Sequence, residues 1–304
     1  MSGLINEGKP FRGVDHSVLN MTRRELYEQV SLNKIRRVFR NVFVDTRATD
    51  DRTLRASAIS LVVPPYAVVC DEWAAWLWGV DAFPPGRRHN LKPSVVVPHH
   101  KARTRLPGAE CREAHIPDAD RVDMDDIKVT TAVRTTTDLL RHQRRPYALA
   151  SADAMVRSGI VGVDDIFETL PFLKGYPGIR QARSLAMLID PDAASPGESW
   201  TRLRMVDAGF AIPQSQLEVI DPSGVTRFLD LAYSSQKIAV EYDGREFHSG
   251  DTARGSDDHR RAMLRATGFK FVIATYENIF GEDTAFEHEL GTLLGQIPKP
   301  RSWK

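Results

Sequence analysis

The sequence predicts a mixed α/β fold of the α+β kind, with helices and short strands in irregular succession. Three observations carry that reading. Short β-branched or aromatic runs, such as Val42-Phe43-Val44, Ser94-Val95-Val96-Val97 and Phe228-Leu229-Asp230-Leu231-Ala232-Tyr233, are each bounded by turn-forming residues. Longer segments carry helix-start signals followed by helical spacing of apolar residues. The composition, 42% hydrophobic and 27% charged over 304 residues, is that of a soluble globular chain long enough for two or three domains of roughly 100–150 residues.

Residues 1–20 read as an arm or irregular strap. Thr22-Arg23-Arg24-Glu25 fits a capping box that opens a helix through about Val30. Asn33 is read as the cap of a second helix, with Ile35, Val38 and Phe39 inward and Lys34, Arg36, Arg37 and Arg40 outward. Asn41 tolerates the left-handed conformation and starts a strand through Val44. Helix then strand, with the second helix basic, resembles an abbreviated winged helix-turn-helix over residues 1–50. Arg52–Leu61 reads as a helix, Tyr66–Cys70 as a buried strand and Asp71–Gly79 as a Trp-rich helix with Trp73, Trp76 and Leu77 on one face, its cluster of Trp73, Trp76 and Trp78 read as core rather than a base-stacking platform. Arg87 to Arg105 carries six cations and no acid around a strand at Ser94–Val97. Short strands with acidic turns follow over 110–130, then helices at Thr135–His142, Pro146–Arg157, Val163–Leu170 and Gly178–Leu188. These define a middle domain, 51–189. Asp190-Pro191-Asp192-Ala193-Ala194 reads as a linker to a third domain, 190–304. That domain is predicted as helix (196–208), strands (216–220, 226–233, 237–243), helix (256–267), strand (270–275) and helix (283–295), a mixed sheet flanked by helices.

A net charge of +1 excludes a whole-molecule polycation, so a nucleic-acid footprint would be a local patch. Two cysteines without metal-type spacing fit a reducing cytoplasm better than a disulfide framework. Met1–Pro10 does not read as a signal peptide, and no apolar run reaches the ~18 residues of a membrane span. The expected location is cytoplasmic, with no membrane partner.

The chemistry concentrates on acids. Taking Ser235-Gln236 as a two-residue hairpin loop sets Tyr233 opposite Ile238 and Asp230 opposite Glu241. Period two then puts Glu241 and Asp243 on one face. Like charges across a ladder repel, and a divalent cation reverses the sign; oxygen ligands suit Mg²⁺ or Mn²⁺. The rival reading is a set of solvated strand-end acids, and Asp243-Gly244 is also an ordinary turn signal. Glu198 has a rival reading as the N3 residue of a capping box begun by Ser195, with Pro196 at N1. No nucleotide-binding P-loop or serine-nucleophile elbow is present.

Residues 195–295 resemble the PD-(D/E)XK nuclease superfamily, in the branch similar to the very-short-patch-repair endonuclease. The matching text is Ser195-Pro196-Gly197-Glu198-Ser199, Asp230, Val240-Glu241-Tyr242-Asp243-Gly244-Arg245-Glu246-Phe247-His248, and Asp258-His259-Arg260-Arg261. The resemblance implies a restriction-endonuclease-like domain in which Asp230, Glu241 and Asp243 hold the metal. Glu198, His248 and Arg261 would complete the catalytic set, with His248 handling a proton. Asp243 stands where the superfamily has lysine, and the very-short-patch branch also lacks that lysine.

Residues 20–170 resemble AbiEi-type antitoxin proteins. The text is Thr22-Arg23-Arg24-Glu25-Leu26, Arg37–Val44, Ala74-Ala75-Trp76-Leu77-Trp78-Gly79 and Arg134-Thr135-Thr136-Thr137-Asp138-Leu139-Leu140. That resemblance implies a winged helix before an α/β domain and transcriptional repression or a toxin partner. Lys34, Arg36, Arg37 and Arg40 are the expected phosphate contacts, with a solvated helix face as the rival reading. The sequence reading is a metal-dependent DNA endonuclease with an amino-terminal half that holds DNA or a partner, and a homodimer is compatible with it. The alternative is a non-catalytic AbiEi-type regulator or antitoxin carrying a degenerate nuclease fold.

Overall fold

A computed structural model describes residues 4–85, 91–99, 108–125, 127–244 and 263–303. Over the described residues the fold is mixed α/β, with three sheets and flanking helices. The chain divides into two compact units, Met1–His142 and Gln143–Lys304. Among the described residues no helix is long and apolar enough to cross a membrane.

The first unit begins with a short helical turn, β1 (Phe11–Arg12) and a second turn, then α1 (Arg23–Ser31), β2 (Ile35–Phe39) and β3 (Val42–Asp45). The Thr22–Glu25 capping box forms as expected. The second, basic helix does not. Residues 35–39 are a strand, paired antiparallel to β3 with Arg37 opposite Phe43 and Phe39 opposite Val42, in a sheet ordered β1-β3-β2. The expected helix-turn-helix is therefore replaced by one helix and a hairpin, and Lys34, Arg36, Arg37 and Arg40 do not share a helix face. Asparagine suits both a helix N-cap and the left-handed residue after a helix end. Asn33, at φ +54, plays the second role and stops α1. Asn41, at φ +63, closes the Arg40-Asn41 turn. One face of the small sheet buries Phe11, Ile35 and Phe43 with Leu26 of α1; Val42 and Val44 join the larger core.

The larger core surrounds a five-stranded mixed sheet ordered β6-β5-β4-β8-β7. Its strands are β4 (Val68–Val69), β5 (Ser94–Val97), β6 (Glu110–Glu113), β7 (Arg121–Met124) and β8 (Ile127–Thr130). Helices α2 (Arg52–Ser60), α3 (Asp71–Leu77) and α4 (Ala132–His142) belong to the same unit. Trp73 and Trp76 are core as expected: Trp73 meets Phe39, Trp76 and Phe83 edge-on at 4.8–5.8 Å.

The second unit opens with α5 (Arg145–Arg157), α6 (Val163–Thr169), α7 (Ile179–Ala186) and α8 (Pro196–Asp207). The residues read as a linker, 190–194, lie inside this unit. Helix α5 is tied to α8 across them: Arg145 to Asp207 at 2.6 Å, Arg202 to Asp153 at 2.6 Å, and Arg157 to the Ala193 carbonyl. A four-stranded sheet follows, ordered β12-β11-β10-β9, with β9 (Gln214–Ile220), β10 (Thr226–Tyr233), β11 (Ile238–Asp243) and β12 (Lys270–Thr275). The pair β11–β12 is parallel and the others antiparallel. Helices α9 (Tyr276–Phe280) and α10 (Ala285–Leu294) end the fold.

Candidate nucleic-acid interface

In the first unit a cavity of about 690 Å³ lies among α1, the tip of the β2–β3 hairpin and the residues around Lys92. Arg23 and Tyr27 stand four residues apart on α1 and so share a face. Arg23 lies over the Tyr27 ring at 5.9 Å, and Arg37 over the ring of its cross-strand partner Phe43 at 5.6 Å. Arg40 and Asn41 come from the hairpin turn. The passage of residues 12–13 beside that turn requires glycine. A Cβ on Gly13 would meet Asn41 Oδ1 at 2.6 Å and Phe43 Cε2 at 2.8 Å.

The electrostatics are one-sided. No carboxylate is found among the described lining residues. Arg12 is forked by Asp15 at 2.8 and 3.0 Å, whereas Arg23, Arg37, Arg40 and Lys92 form no ion pair with any described residue. Four uncompensated cations around one concavity attract polyanions and position phosphates. Of the residues expected to do this, Arg37 and Arg40 line the cavity; Lys34 and Arg36 do not, and Arg36 donates to the Ala48 carbonyl at 3.3 Å. Arg12 and Arg23 were not foreseen. Their role depends on α1 and β1 facing the hairpin tip, which no local pattern announces. Lys92 belongs to the basic stretch singled out in the sequence; Arg87, Arg88, Lys101, Arg103 and Arg105 lie outside the described residues.

In the second unit, β10 and β11 pair with Tyr233 opposite Ile238 and Leu231 opposite Val240. Continuing that register sets Asp230 opposite Glu241, as the turn reading required. Lys237 N–H donates to Ser234 O at 3.4 Å across the Ser235-Gln236 turn. Tyr242 N–H donates to Asp230 Oδ2 at 3.3 Å, and Glu241 is buried, with 1% of its surface exposed. Asp243 is half-buried at the end of β11. The three acids do not form a three-ligand group. Among the described residues, the one triple whose ligand atoms lie within 4.8 Å of each other is Asp71, Asp138 and His142.

Glu198 is the N3 residue of α8, which Ser195 caps, but the reciprocal half of the capping box does not close. Its N–H donates to Ser195 Oγ at 3.2 Å, and its carboxylate accepts from Ala194 N–H and Gln216 Nε2, both at 2.9 Å. His248 and Arg261 lie outside the described residues.

The triple at Asp71 is already neutralised. Arg112 forks Asp71, and His142 Nδ1 approaches it at 3.2 Å. Asp138 receives Arg134 Nε at 2.9 Å and Arg141 Nη1 at 2.6 Å. Burial pushes the Asp71 carboxyl up, but His142 and Arg112 outweigh it and hold the group well below the usual carboxylate range. With its carboxylates committed to arginines, this cluster fits a structural ion network better than a cation site. It joins α3, β6 and α4. Cys70, beside it, is buried, and burial raises its thiol pKa.

Residues 67–186 match the AbiEi antitoxin C-terminal domain. The match covers β4–β8 with α3 and α4 of the first unit, and α5–α7 of the second. It ends before Ser195, where the segment resembling a nuclease starts. Two curated relatives are uncharacterized proteins of Mycobacterium tuberculosis, from strain ATCC 25618 / H37Rv and strain CDC 1551 / Oshkosh. Each is 29% identical over 266 residues, covering 85% of this chain and 92% of the relative. A crystal structure of the Rv2827c protein from Mycobacterium tuberculosis covers 70% of this chain and 84% of its own, at 12% identity and a TM-score of 0.31.

Proposed function

We propose that this protein is an AbiEi-type antitoxin or regulator that binds DNA through the basic cavity of its first unit. The match over residues 67–186 supports the antitoxin class, whose partner would be a toxin. The observation that carries DNA binding is the set of four unpaired cations, Arg23, Arg37, Arg40 and Lys92, around one concavity. They would hold the phosphate backbone, with Arg40 and Asn41 at the exposed turn reaching furthest. The test is gel-shift binding to a duplex from the protein's own promoter region across a salt series. Four phosphate contacts predict a slope of log K against log salt of about −3 to −4. Replacing both Arg37 and Arg40 by Gln is expected to weaken binding by about 10²-fold or more, at some 1.5–3 kcal/mol per charged contact, and to flatten the slope. An unchanged slope in that variant would sink the assignment.

A second reading, metal-dependent phosphodiester hydrolysis, is favoured by one observation, the β10–β11 register with Leu231 opposite Val240, which when continued by one residue faces Asp230 with Glu241. The described acids do not assemble a three-ligand site for Mg²⁺ or Mn²⁺. This reading predicts EDTA-sensitive nicking of plasmid that Asp230→Asn and Glu241→Gln abolish; equal cleavage by those variants would mark a contaminant.

A further inference from the structure

The cavity in the first unit is mixed in character, with polar and apolar lining together. Its volume, about 690 Å³, lies within the roughly 300–1,000 Å³ usual for small-ligand sites. Its lining combines the cations Arg23, Arg37, Arg40 and Lys92 with the apolar side chains of Leu61, Val62 and Phe43. Tyr27 keeps 43% of its surface exposed beside them, with Arg23 over its ring at 5.9 Å and Phe43 at right angles to it at 6.3 Å, so a second ring would share what those neighbours leave. Asn41, at the exposed turn, offers an amide donor and acceptor together.

These features point to one ligand class. Four cations without described partners match the three to four negative charges of a triphosphate. The tyrosine ring and apolar wall match a base and ribose, which bare phosphate would leave unused. An amide with both polarities matches the edge of a purine. We infer that this cavity binds a free nucleoside triphosphate, with Arg23, Arg37, Arg40 and Lys92 on the phosphates and Tyr27 against the base. No carboxylate lines the described cavity to hold a bridging cation, so binding does not need Mg²⁺. The inference goes beyond DNA binding and does not require it, although Arg37 and Arg40 serve both.

The experiment is isothermal titration of the full chain with ATP in EDTA, beside AMP and inorganic triphosphate. ATP is expected to bind one per chain, with AMP and triphosphate each weaker by about tenfold or more, since each lacks one half of the contacts. Arg37→Gln and Lys92→Gln are each expected to weaken ATP by about tenfold, the loss of one charge-assisted contact. Tyr27→Leu is expected to weaken ATP while leaving triphosphate unchanged. Circular dichroism melts of each variant separate lost contacts from lost folding. Absence of ATP binding overturns the inference. Equal binding of triphosphate and ATP overturns it too, because the site would then hold only an anion. A promoter-duplex gel shift run beside it keeps the two claims apart. Duplex binding without ATP binding removes this inference alone, and ATP binding without duplex binding removes the DNA reading alone.

Discussion

Asp153 on α5 accepts from Ser199 Oγ and Arg202 Nη2, both at 2.6 Å, and from Asp190 N–H at 2.8 Å. Burial outweighs the Arg202 charge and the hydrogen bonds and pushes this carboxyl up to about 6. The native state therefore holds its proton more tightly than the unfolded chain, whose carboxyl titrates near 3.8. The resulting stability, ~3 kcal/mol at most, is full below the unfolded value and is lost as pH rises through about 6. Urea midpoints measured from pH 4 to 6.5 should fall in part for this reason, and the Asp153→Asn variant should lack that component. Nothing in the sequence marks Asp153: it sits in Ala152-Asp153-Ala154 like any polar residue on a helix. Glu198 shows half of what Ser195-Pro196-Gly197-Glu198 announced: Ser195 caps the helix through Glu198 N–H, but the Glu198 carboxylate accepts from Ala194 N–H and Gln216 rather than from Ser195 N–H.

Elements show where local pattern suffices and where it fails. Strand β10, its turn and β11 were legible together, because the Ser235-Gln236 turn and two apolar runs leave one register. Strand β2 was not. Ile35-Arg36-Arg37-Val38-Phe39 is short enough to satisfy a helical or an extended spacing. Its fate is set by pairing with β3 and by burial of Ile35, Val38 and Phe39 in two cores. The short helix α9 was also missed; Thr275 caps it through Asn278, a box with Asn in place of the usual Glu. At the junction of α8 and β11, Gly197 lies under the Tyr242 ring, and a Cβ there would stand 2.1–2.5 Å from its atoms. Gly197→Ala should therefore cost about 1–3 kcal/mol in urea unfolding, as overpacking does, rather than gain the stability a helical alanine usually brings. An unchanged or higher midpoint would mean that Tyr242 is free to move aside.

For the whole molecule, the division falls after His142, 47 residues before the linker that composition suggested at 190. Pro and Asp in Asp190-Pro191-Asp192 look like a boundary, but Asp190 N–H is bound to Asp153, and Arg202 reaches both the Leu188 carbonyl and Asp153. A fragment of 143–304 is expected to unfold cooperatively. A fragment of 190–304, stripped of α5 and with it of Asp153 and Arg145, which pair with Arg202 and Asp207, is expected to lack a sharp transition. Comparing their urea curves decides between the two boundaries, and a cooperative 190–304 fragment would restore the sequence-based one.

Local signals alone determined the α/β class, most element positions, the core role of Trp73 and Trp76, and the register that faces Asp230 with Glu241. Each depends on interactions between residues close in the chain: caps, turns, and alternation along a strand. Only the tertiary structure decided that residues 35–39 pair as a strand, that α5 belongs with α8, and that Arg23, Arg37, Arg40 and Lys92 surround one cavity. Those outcomes depend on burial and charge brought together from distant segments, and a pattern read along the chain carries no measure of that proximity.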